Sequence, residues 1–295
     1  MTARTDAGGT IYDIGYRRYE GPRLGRGGAI GAVIGAGVRA VFGFGRSGRA
    51  KIVPWGAVIL GTLPAIVAVA VRVLAGDIIP DLYSYDDYVG QIGGLLAIFL
   101  AAQAPELVVN DIRYRVLPLY FSRPMSRADY VGAKLVALAL GLLALTLVPV
   151  LILFLGRVLI SEDLLAGLGD EIGSLPAIVG NGLLHAVVLA SLGLAISCLA
   201  SRRAYAAGAV LAVFLVGGVV SDILNEAGGA FDDWAPFLYP LSIIDGARQW
   251  IFGGAVASSS VSASDVPLPV YGLATALLVL VSWLVLALRY RRISV

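Results

Sequence analysis

Six long apolar stretches divide the chain, at about residues 53–75, 88–105, 134–156, 175–200, 204–224 and 268–288. They reach or approach the roughly 20 residues that an α-helix needs to cross the hydrocarbon core of a bilayer. They are continuously apolar, whereas the strands of a membrane β-barrel alternate polar and apolar residues over about 10 positions. The pattern therefore predicts an all-α integral membrane protein with six transmembrane helices.

A shorter apolar segment precedes these six, with the sequence "GGAIGAVIGAGVRAVFGF" at residues 27–44. It is dense in glycine and carries Arg39 in its middle, and both features disfavour insertion across a bilayer. Basic residues also flank both of its ends. We predict an N-terminal interfacial amphipathic helix that lies along the inner membrane surface, with a seventh span as the alternative.

The composition agrees with a membrane protein. Hydrophobic residues make up 58% of the chain, charged residues only 14%, and the mean hydropathy of +0.86 lies outside the soluble globular range. The single cysteine, Cys198, lies inside an apolar stretch, so neither an intrachain disulfide nor a cysteine-based metal site can form.

The basic residues are distributed very unevenly. Nineteen of the twenty-two lysines and arginines fall in the first 52 residues, the loop at 105–134, the connection at 202–203 and the C-terminal tail. The other three, Arg72, Arg157 and Arg248, lie in segments that hold fourteen of the twenty acids. By the positive-inside rule, both termini are predicted to face the cytoplasm. The ratio of twenty arginines to two lysines favours a bacterial source, and hence a multi-pass protein of the bacterial inner membrane.

The predicted organisation has three parts. Residues 1–52 form a cytoplasmic leader and the interfacial helix, residues 53–288 the six-helix transmembrane domain, and residues 289–295 a cytoplasmic tail. On the outer side, residues 225–267 are rich in aromatic residues and prolines, which favours short re-entrant or interfacial helices.

The sequence contains no constellation typical of an enzyme. It has no G-x-x-x-x-G-K-[ST] phosphate loop, so ATP cannot be bound in that manner. The only histidine, His185, lies in the middle of a span with Asn181 one helical turn before it, which argues against a zinc site or a histidine-dependent hydrolase. These two residues are candidates for a substrate pathway. An interhelical hydrogen bond of His185, with Asn181 nearby, is the simpler interpretation.

The loop at 105–134 is the most informative segment. Pro105 is predicted to break the second span, and "ELVVNDIRYRVL" to form a short helix that contacts both membrane and protein. Ser126 is predicted to cap the helix of the third span, with Asp129 at the N3 position of a capping box. Taken alone, the charges also fit an ordinary solvated cytoplasmic loop.

This loop carries a resemblance to a known family. The run "PELVVNDIRYRVLPLYFSRPMSRADYVGAK", with an acid at the end of the second span and a lysine at the start of the third, resembles permease subunits of ABC-2 type ABC transporters. The leader "IYDIGYRRYEGPRLGR" is similar to that of a bacterial branch of the family. The resemblance covers nearly the whole chain, and it identifies no substrate.

The resemblance implies a transport subunit without an ATPase site or cofactor of its own. It would pair with a second copy of itself or a related permease and with two ATPase subunits, which bind ATP and Mg, and would export an amphipathic or hydrophobic compound such as a drug, an antibiotic or a lipid-like molecule. Membrane lipid would surround it, and no nucleic acid is involved. The loop would form the coupling helix that docks on the ATPase, through Glu106, Asp111, Arg113, Arg115, Arg123 and Arg127.

The alternative is a secondary transporter driven by an ion gradient. That class usually places acids near the bilayer midplane, often in broken helices and inverted repeats. Apart from His185, the predicted spans hold almost no ionisable residue away from their ends, and the second half of the chain does not repeat the first. The permease is therefore the preferred prediction.

Overall fold

The computed structural model describes residue 21 and residues 25–75, 82–161, 163–254 and 258–292. Most of the predicted leader lies outside these ranges. Within them the chain forms α-helices and short 3-10 turns and no strands. In chain order the helices are α1 (Arg26–Val41), α2 (Gly48–Ala75), α3 (Tyr85–Gln91), α4 (Gly93–Arg113), α5 (Leu117–Phe121), α6 (Arg127–Ile160), α7 (Leu164–Glu171), α8 (Leu175–Leu199), α9 (Arg203–Ala227), α10 (Pro240–Phe252), α11 (Ser259–Ala263) and α12 (Leu268–Arg291).

Six helices are long and apolar enough to cross a membrane, which confirms the predicted fold class. They are α2, α4, α6, α8, α9 and α12, and α7 extends α8 into one longer helical stretch. The spans of α4, α6 and α8 are mostly buried, whereas those of α2, α9 and α12 are mostly exposed. The first three therefore form the centre of the bundle, and the other three present apolar faces to their surroundings.

The second span departs most from its prediction. Instead of ending at Pro105, α4 continues to Arg113 and carries the proline as a buried internal residue. A proline inside a helix removes one backbone hydrogen bond, here the bond to the carbonyl of residue 101. Helices of membrane proteins tolerate this loss because neighbouring groups and small local adjustments satisfy the freed carbonyl. The prediction of a break at Pro105, followed by a separate short helix, is therefore wrong.

The predicted capping box at the start of α6 is confirmed. The Ser126 hydroxyl oxygen accepts a hydrogen bond from the Asp129 backbone N–H at 3.2 Å, and the Asp129 carboxylate accepts one from the Ser126 backbone N–H at 2.8 Å. The same carboxylate binds the Arg26 guanidinium in a bidentate pair, with N···O distances of 2.9 and 2.7 Å. The first residue of α1 is thereby attached to the first turn of α6.

Helix α1 confirms that the apolar segment before the six spans is helical. It has 16 residues, is not among the candidate spans and packs against α6 and α4. A side chain at Gly37 would begin 2.6 Å from the Cβ of Ala137, so this close approach requires glycine. After the helix, Gly43 adopts φ +69°, a left-handed conformation that glycine takes without strain at a helix end. The position of α1 at the membrane surface stays a prediction.

The bundle has two ends that differ in charge. We call the "basic end" the one that carries α1, residues 113–127, residues 200–203 and the end of α12. Contacts between distant segments hold it together, such as the hydrogen bond of 3.1 Å from the Arg289 Nε to the Cys198 carbonyl. We call the "acidic end" the opposite one, which carries α3, α7, α10 and α11. Here the Tyr85 hydroxyl donates to the Glu171 carboxylate at 2.7 Å.

The described part of residues 225–267 belongs to the acidic end. It forms two short 3-10 helices, Gly229–Phe231 and Ala235–Leu238, followed by α10 and α11, and their re-entrant or interfacial placement stays a prediction. Helix α10 is mostly buried and packs against α12. Trp234 and Trp250 are exposed, as expected of aromatic residues near a membrane interface.

Two arginines of the acidic end make contacts within the chain. The Arg157 guanidinium lies 4.1 Å from the centre of the Tyr85 ring and donates to the Tyr83 carbonyl at 3.0 Å. Arg248 is 1% exposed and pairs with Asp245 and Asp86. Both arginines are therefore engaged by groups of the acidic end itself.

Candidate functional site

The first candidate site is the exposed tip of the basic end, which we define as residues 113–124. Helix α4 ends there in a Schellman motif: the Val116 N–H donates to the Asp111 carbonyl at 3.1 Å, and the Arg115 N–H to the Ile112 carbonyl at 3.3 Å. Arg115 occupies the left-handed position of this motif with φ 51°, where glycine is usual. The turn reverses the chain and leads directly into α5.

Helix α5 is a single short helix that presents apolar side chains outward. Leu117 is buried and anchors it, whereas Leu119 is 71% exposed. Just before the helix, Tyr114 is 66% exposed. Burial, and then the Asp111 carboxylate, raises the pKa of the half-buried Tyr120, so this hydroxyl stays neutral at physiological pH.

Three of the six residues predicted to contact the ATPase are exposed on this tip. They are Arg113, Arg115 and Arg123. The tip contains no acid, so it presents three positive charges together with exposed Leu119 and Tyr114. Such a mixture of arginine and apolar or aromatic side chains is typical of protein–protein contact surfaces.

Glu106 has a different environment from the one predicted. Its side chain is only 4% exposed, inside the bundle at the level of the basic end, and it pairs with the guanidinium groups of Arg46 and Arg203. Arg46 lies in the turn between α1 and α2, and Arg203 is the first residue of α9. Glu106 thus joins three separate segments of the chain and does not face outward as a docking residue.

Asp111 and Arg127 are also engaged within the chain. The Asp111 carboxylate pairs with Lys134 of α6 at 2.8 Å and accepts a hydrogen bond from the Tyr130 hydroxyl at 2.6 Å. Arg127 donates to the main-chain carbonyls of Tyr290 and Arg291 at 2.9 and 2.8 Å, and so satisfies acceptors at the end of α12. Both residues stabilise the base of the tip.

The second candidate site is a cavity of about 290 Å³ at the acidic end. Helices α3, α8, α9 and α10 supply its polar lining, which includes Asp86, His185, Asp222, Asp245 and Arg248. His185 was a predicted pathway residue, and the structure places it at this cavity. Neither Asp86 nor Asp222 could be assigned to the same site from the sequence, because they come from helices far apart in the chain.

The contact between His185 and Asn181 differs from the predicted interhelical bond. The Nδ1 atom of His185 lies 3.0 Å from the main-chain carbonyl oxygen of Asn181, within α8 itself. The spacing of four residues places both on one face of the helix, which is why the bond forms locally. The Asn181 side chain is buried and does not line the cavity.

Among the described residues, no group of three or more His, Cys, Asp and Glu side chains is arranged to hold a metal ion. Several charged groups at the two sites form ion pairs, and the three tip arginines are exposed.

Comparison with known proteins agrees with this description. The family described as ABC-2 family transporter protein matches residues 50–290, which include all of the candidate spans except the first two residues of α2 and the last residue of α12. No curated protein gives a significant match. Because the family match covers most of the chain, the protein belongs to the ABC-2 transporter family and is a multi-pass transmembrane permease of that family.

Proposed function

We propose that this chain is the permease subunit of an ABC exporter in the bacterial inner membrane. It pairs with a second copy of itself or a related permease and with two ATPase subunits, which bind ATP and Mg and hydrolyse the nucleotide. The complex moves an amphipathic or hydrophobic compound outward. The observation that carries the proposal is the family match over residues 50–290, and the exposed cationic tip supplies a surface for the ATPase.

The contacts of the basic end support a route for mechanical coupling. Because α4 continues through Pro105, the tip is a direct extension of the second span. Glu106 connects α4 with Arg46 and Arg203, so a displacement of the tip moves α4 together with the starts of α2 and α9. ATP binding closes the ATPase dimer, draws the two tips together and shifts the spans between inward- and outward-facing states.

The proposed docking surface can be tested by reversing its charge. We expect Arg113→Glu combined with Arg123→Glu to leave the chain folded, because both side chains are exposed. The loss of an arginine hot spot costs about 2 kcal/mol or more of binding free energy, and reversal adds repulsion from any acid of the partner that pairs with these arginines. The double variant should therefore lose the ATPase that co-purifies with the parental chain, and ATP-dependent export should stop.

A matched control is Arg49→Glu combined with Arg292→Glu. Both are exposed at the basic end and lie outside the tip, so the change of net charge is the same. We expect this control to retain the ATPase. If the tip variant also retains it and exports at the parental rate, the tip is not the docking surface.

The proposed orientation predicts which end of the bundle is accessible from outside. In a Cys198→Ser background, Ser262→Cys at the acidic end should react in whole cells with a maleimide that does not cross membranes. Ser122→Cys on the tip should react only after the cells are opened. Both serines are exposed, so only the membrane barrier should make their maleimide labelling differ. Labelling of Ser122→Cys in intact cells would place the basic end outside and contradict the orientation.

A further inference from the structure

The polar cavity of the acidic end contains more negative than positive charge. Three carboxylates line it, from Asp86, Asp222 and Asp245, against the single guanidinium of Arg248. Three different helices, α3, α9 and α10, supply them, so the fold rather than a local acidic run brings them together. Charge alone makes the cavity attractive to cations and repulsive to anions.

The donors of Arg248 are already directed at acceptors of the protein. Its Nε and Nη2 atoms donate to the Asp245 carboxylate at 3.0 and 2.9 Å. Its Nη1 atom lies 3.2 Å from the Asp86 carboxylate and 3.4 Å from the Gly253 carbonyl. An anionic ligand would therefore have to displace these contacts of a side chain that is only 1% exposed.

His185 supplies an independent indication of a ligand. The residue is 4% exposed and lines the cavity. Its Nδ1 lies 3.0 Å from the Asn181 carbonyl, which can only accept, so Nδ1 carries the proton of the neutral ring. Nε2 is then the acceptor of the ring, and the described part of the chain provides no hydrogen-bond partner for it. Because this buried side chain lines the cavity, a donor group of a ligand in the cavity can satisfy Nε2.

The other features of the cavity favour an organic cation over a metal ion. Tyr239 places a half-buried ring at the cavity, and burial, followed by the Asp222 carboxylate, raises the pKa of its hydroxyl, so the ring stays neutral. A neutral tyrosine adds no charge to the cavity, so the excess of carboxylates is unchanged. The absence of a three-ligand His, Cys, Asp or Glu group among the described residues disfavours a metal ion at the same place.

We propose that this cavity binds a protonated amine, with its N–H groups directed at His185 Nε2 and at the Asp222 carboxylate. Asp245, whose oxygens already accept from Arg248 and from the Ser258 N–H, contributes negative charge. As a site for cargo, this inference rests on the proposed export function, because an amphipathic amine would place its charged end here and its apolar part against the membrane. Binding itself requires only the permease chain. A primary ammonium of a lipid headgroup has the same chemistry, and the experiment distinguishes the two sources.

The test uses the purified full chain in phosphatidylcholine nanodiscs, with empty nanodiscs as background. The probe is dansylcadaverine, a fluorescent primary amine, and fluorescence anisotropy reports its binding. We expect saturable binding to the parental chain. The N-trimethyl derivative keeps the charge but has no N–H donor on that nitrogen, so its binding should be weaker by about tenfold or more, as for the loss of a hydrogen bond to a charged group.

Two variants and a matched control locate the site. Asp222→Asn removes one cavity charge from an exposed position, and His185→Phe removes Nε2 while keeping an aromatic ring; each should weaken binding by about tenfold. Glu226→Gln, one turn after Asp222 on α9 and outside the cavity, makes the same change of charge and should bind like the parental chain. Because Asp222 is exposed, its variant tests the site even if His185→Phe does not fold.

A final arm adds phosphatidylethanolamine to the nanodiscs. Competition with the probe would support the ammonium site and identify a lipid headgroup as an occupant, whereas unchanged probe binding would support a free amine as cargo. The proposal is overturned if the binding of dansylcadaverine is not saturable. It is also overturned if Asp222→Asn binds dansylcadaverine as tightly as the parental chain does, and the parental chain binds the trimethyl derivative as tightly as dansylcadaverine. Those results would leave the export function untouched, since ATP-dependent export by the complex is measured separately.

Discussion

Replacing both Arg46 and Arg203 by methionine is expected to destabilise the folded chain by about 3 kcal/mol, the lower end of the range for breaking a buried ion pair, because Glu106 is buried but both arginines are about half exposed. Both guanidinium groups bind the Glu106 carboxylate, which is almost completely buried. The double variant leaves that carboxylate without a cation in a poorly solvated position. The melting temperature of the purified chain in detergent, followed by fluorescence-detected size-exclusion chromatography, should fall accordingly.

The triple variant that adds Glu106→Gln is the decisive control. Glutamine has nearly the same shape and no charge, so it removes the unpaired carboxylate and should restore most of the lost stability. The single variant Arg46→Met, which retains Arg203, should lose less than the double variant. If the double variant melts like the parental chain, or if Glu106→Gln gives no recovery, the ion pairs do not hold the basic end together.

Arg248→Met is expected to produce a loss of similar size, about 3–5 kcal/mol, at the opposite end of the bundle. Arg248 is almost completely buried, and its removal leaves the Asp245 carboxylate, which is buried, and the Asp86 carboxylate close together without their common cation. The same melting experiment should show a lower midpoint and a smaller folded fraction after solubilisation.

If unpaired carboxylates cause the instability of Arg248→Met, removing their charges should restore thermal stability. Adding Asp245→Asn and Asp86→Asn to Arg248→Met removes both unpaired charges, so the triple variant should melt at a higher temperature than Arg248→Met. Asp163→Asn provides a comparison, because Asp163 is an exposed acid that only caps α7 through the Leu165 N–H. A triple variant as unstable as Arg248→Met would show that packing of the arginine, and not charge, stabilises this end.

The sequence predicts well those features that depend on neighbouring residues. Continuous apolar stretches predict the six spans because span length follows from bilayer thickness. The capping box of Ser126 and Asp129 was predicted for a similar reason, since all of its atoms lie within one helical turn. Pro105 shows where local rules fail: in isolation it should end a helix, but packing against neighbouring helices keeps α4 continuous.

The two candidate sites depend on contacts that no local pattern reveals. The partners of Glu106 are Arg46, which lies 60 residues before it in the turn after α1, and Arg203, the first residue of α9. From the sequence alone, charge near the end of a span suggested an exposed docking residue, since nothing indicated that two arginines would enclose it. The three tip arginines are exposed, as a docking surface requires, and their contact with an ATPase stays a prediction.

The length of α6 has a mechanical consequence. At 1.5 Å per residue its 34 residues extend about 51 Å, well beyond the roughly 30 Å of the hydrocarbon core. One uninterrupted rod therefore joins the capping box beside α1 to the neighbourhood of α7. If such a rod tilts by about 5° around one end, the other end moves by about 4 Å, which is more than the diameter of a water molecule. The single proline inside it, Pro149, lies toward the acidic end and marks the place where this lever would bend.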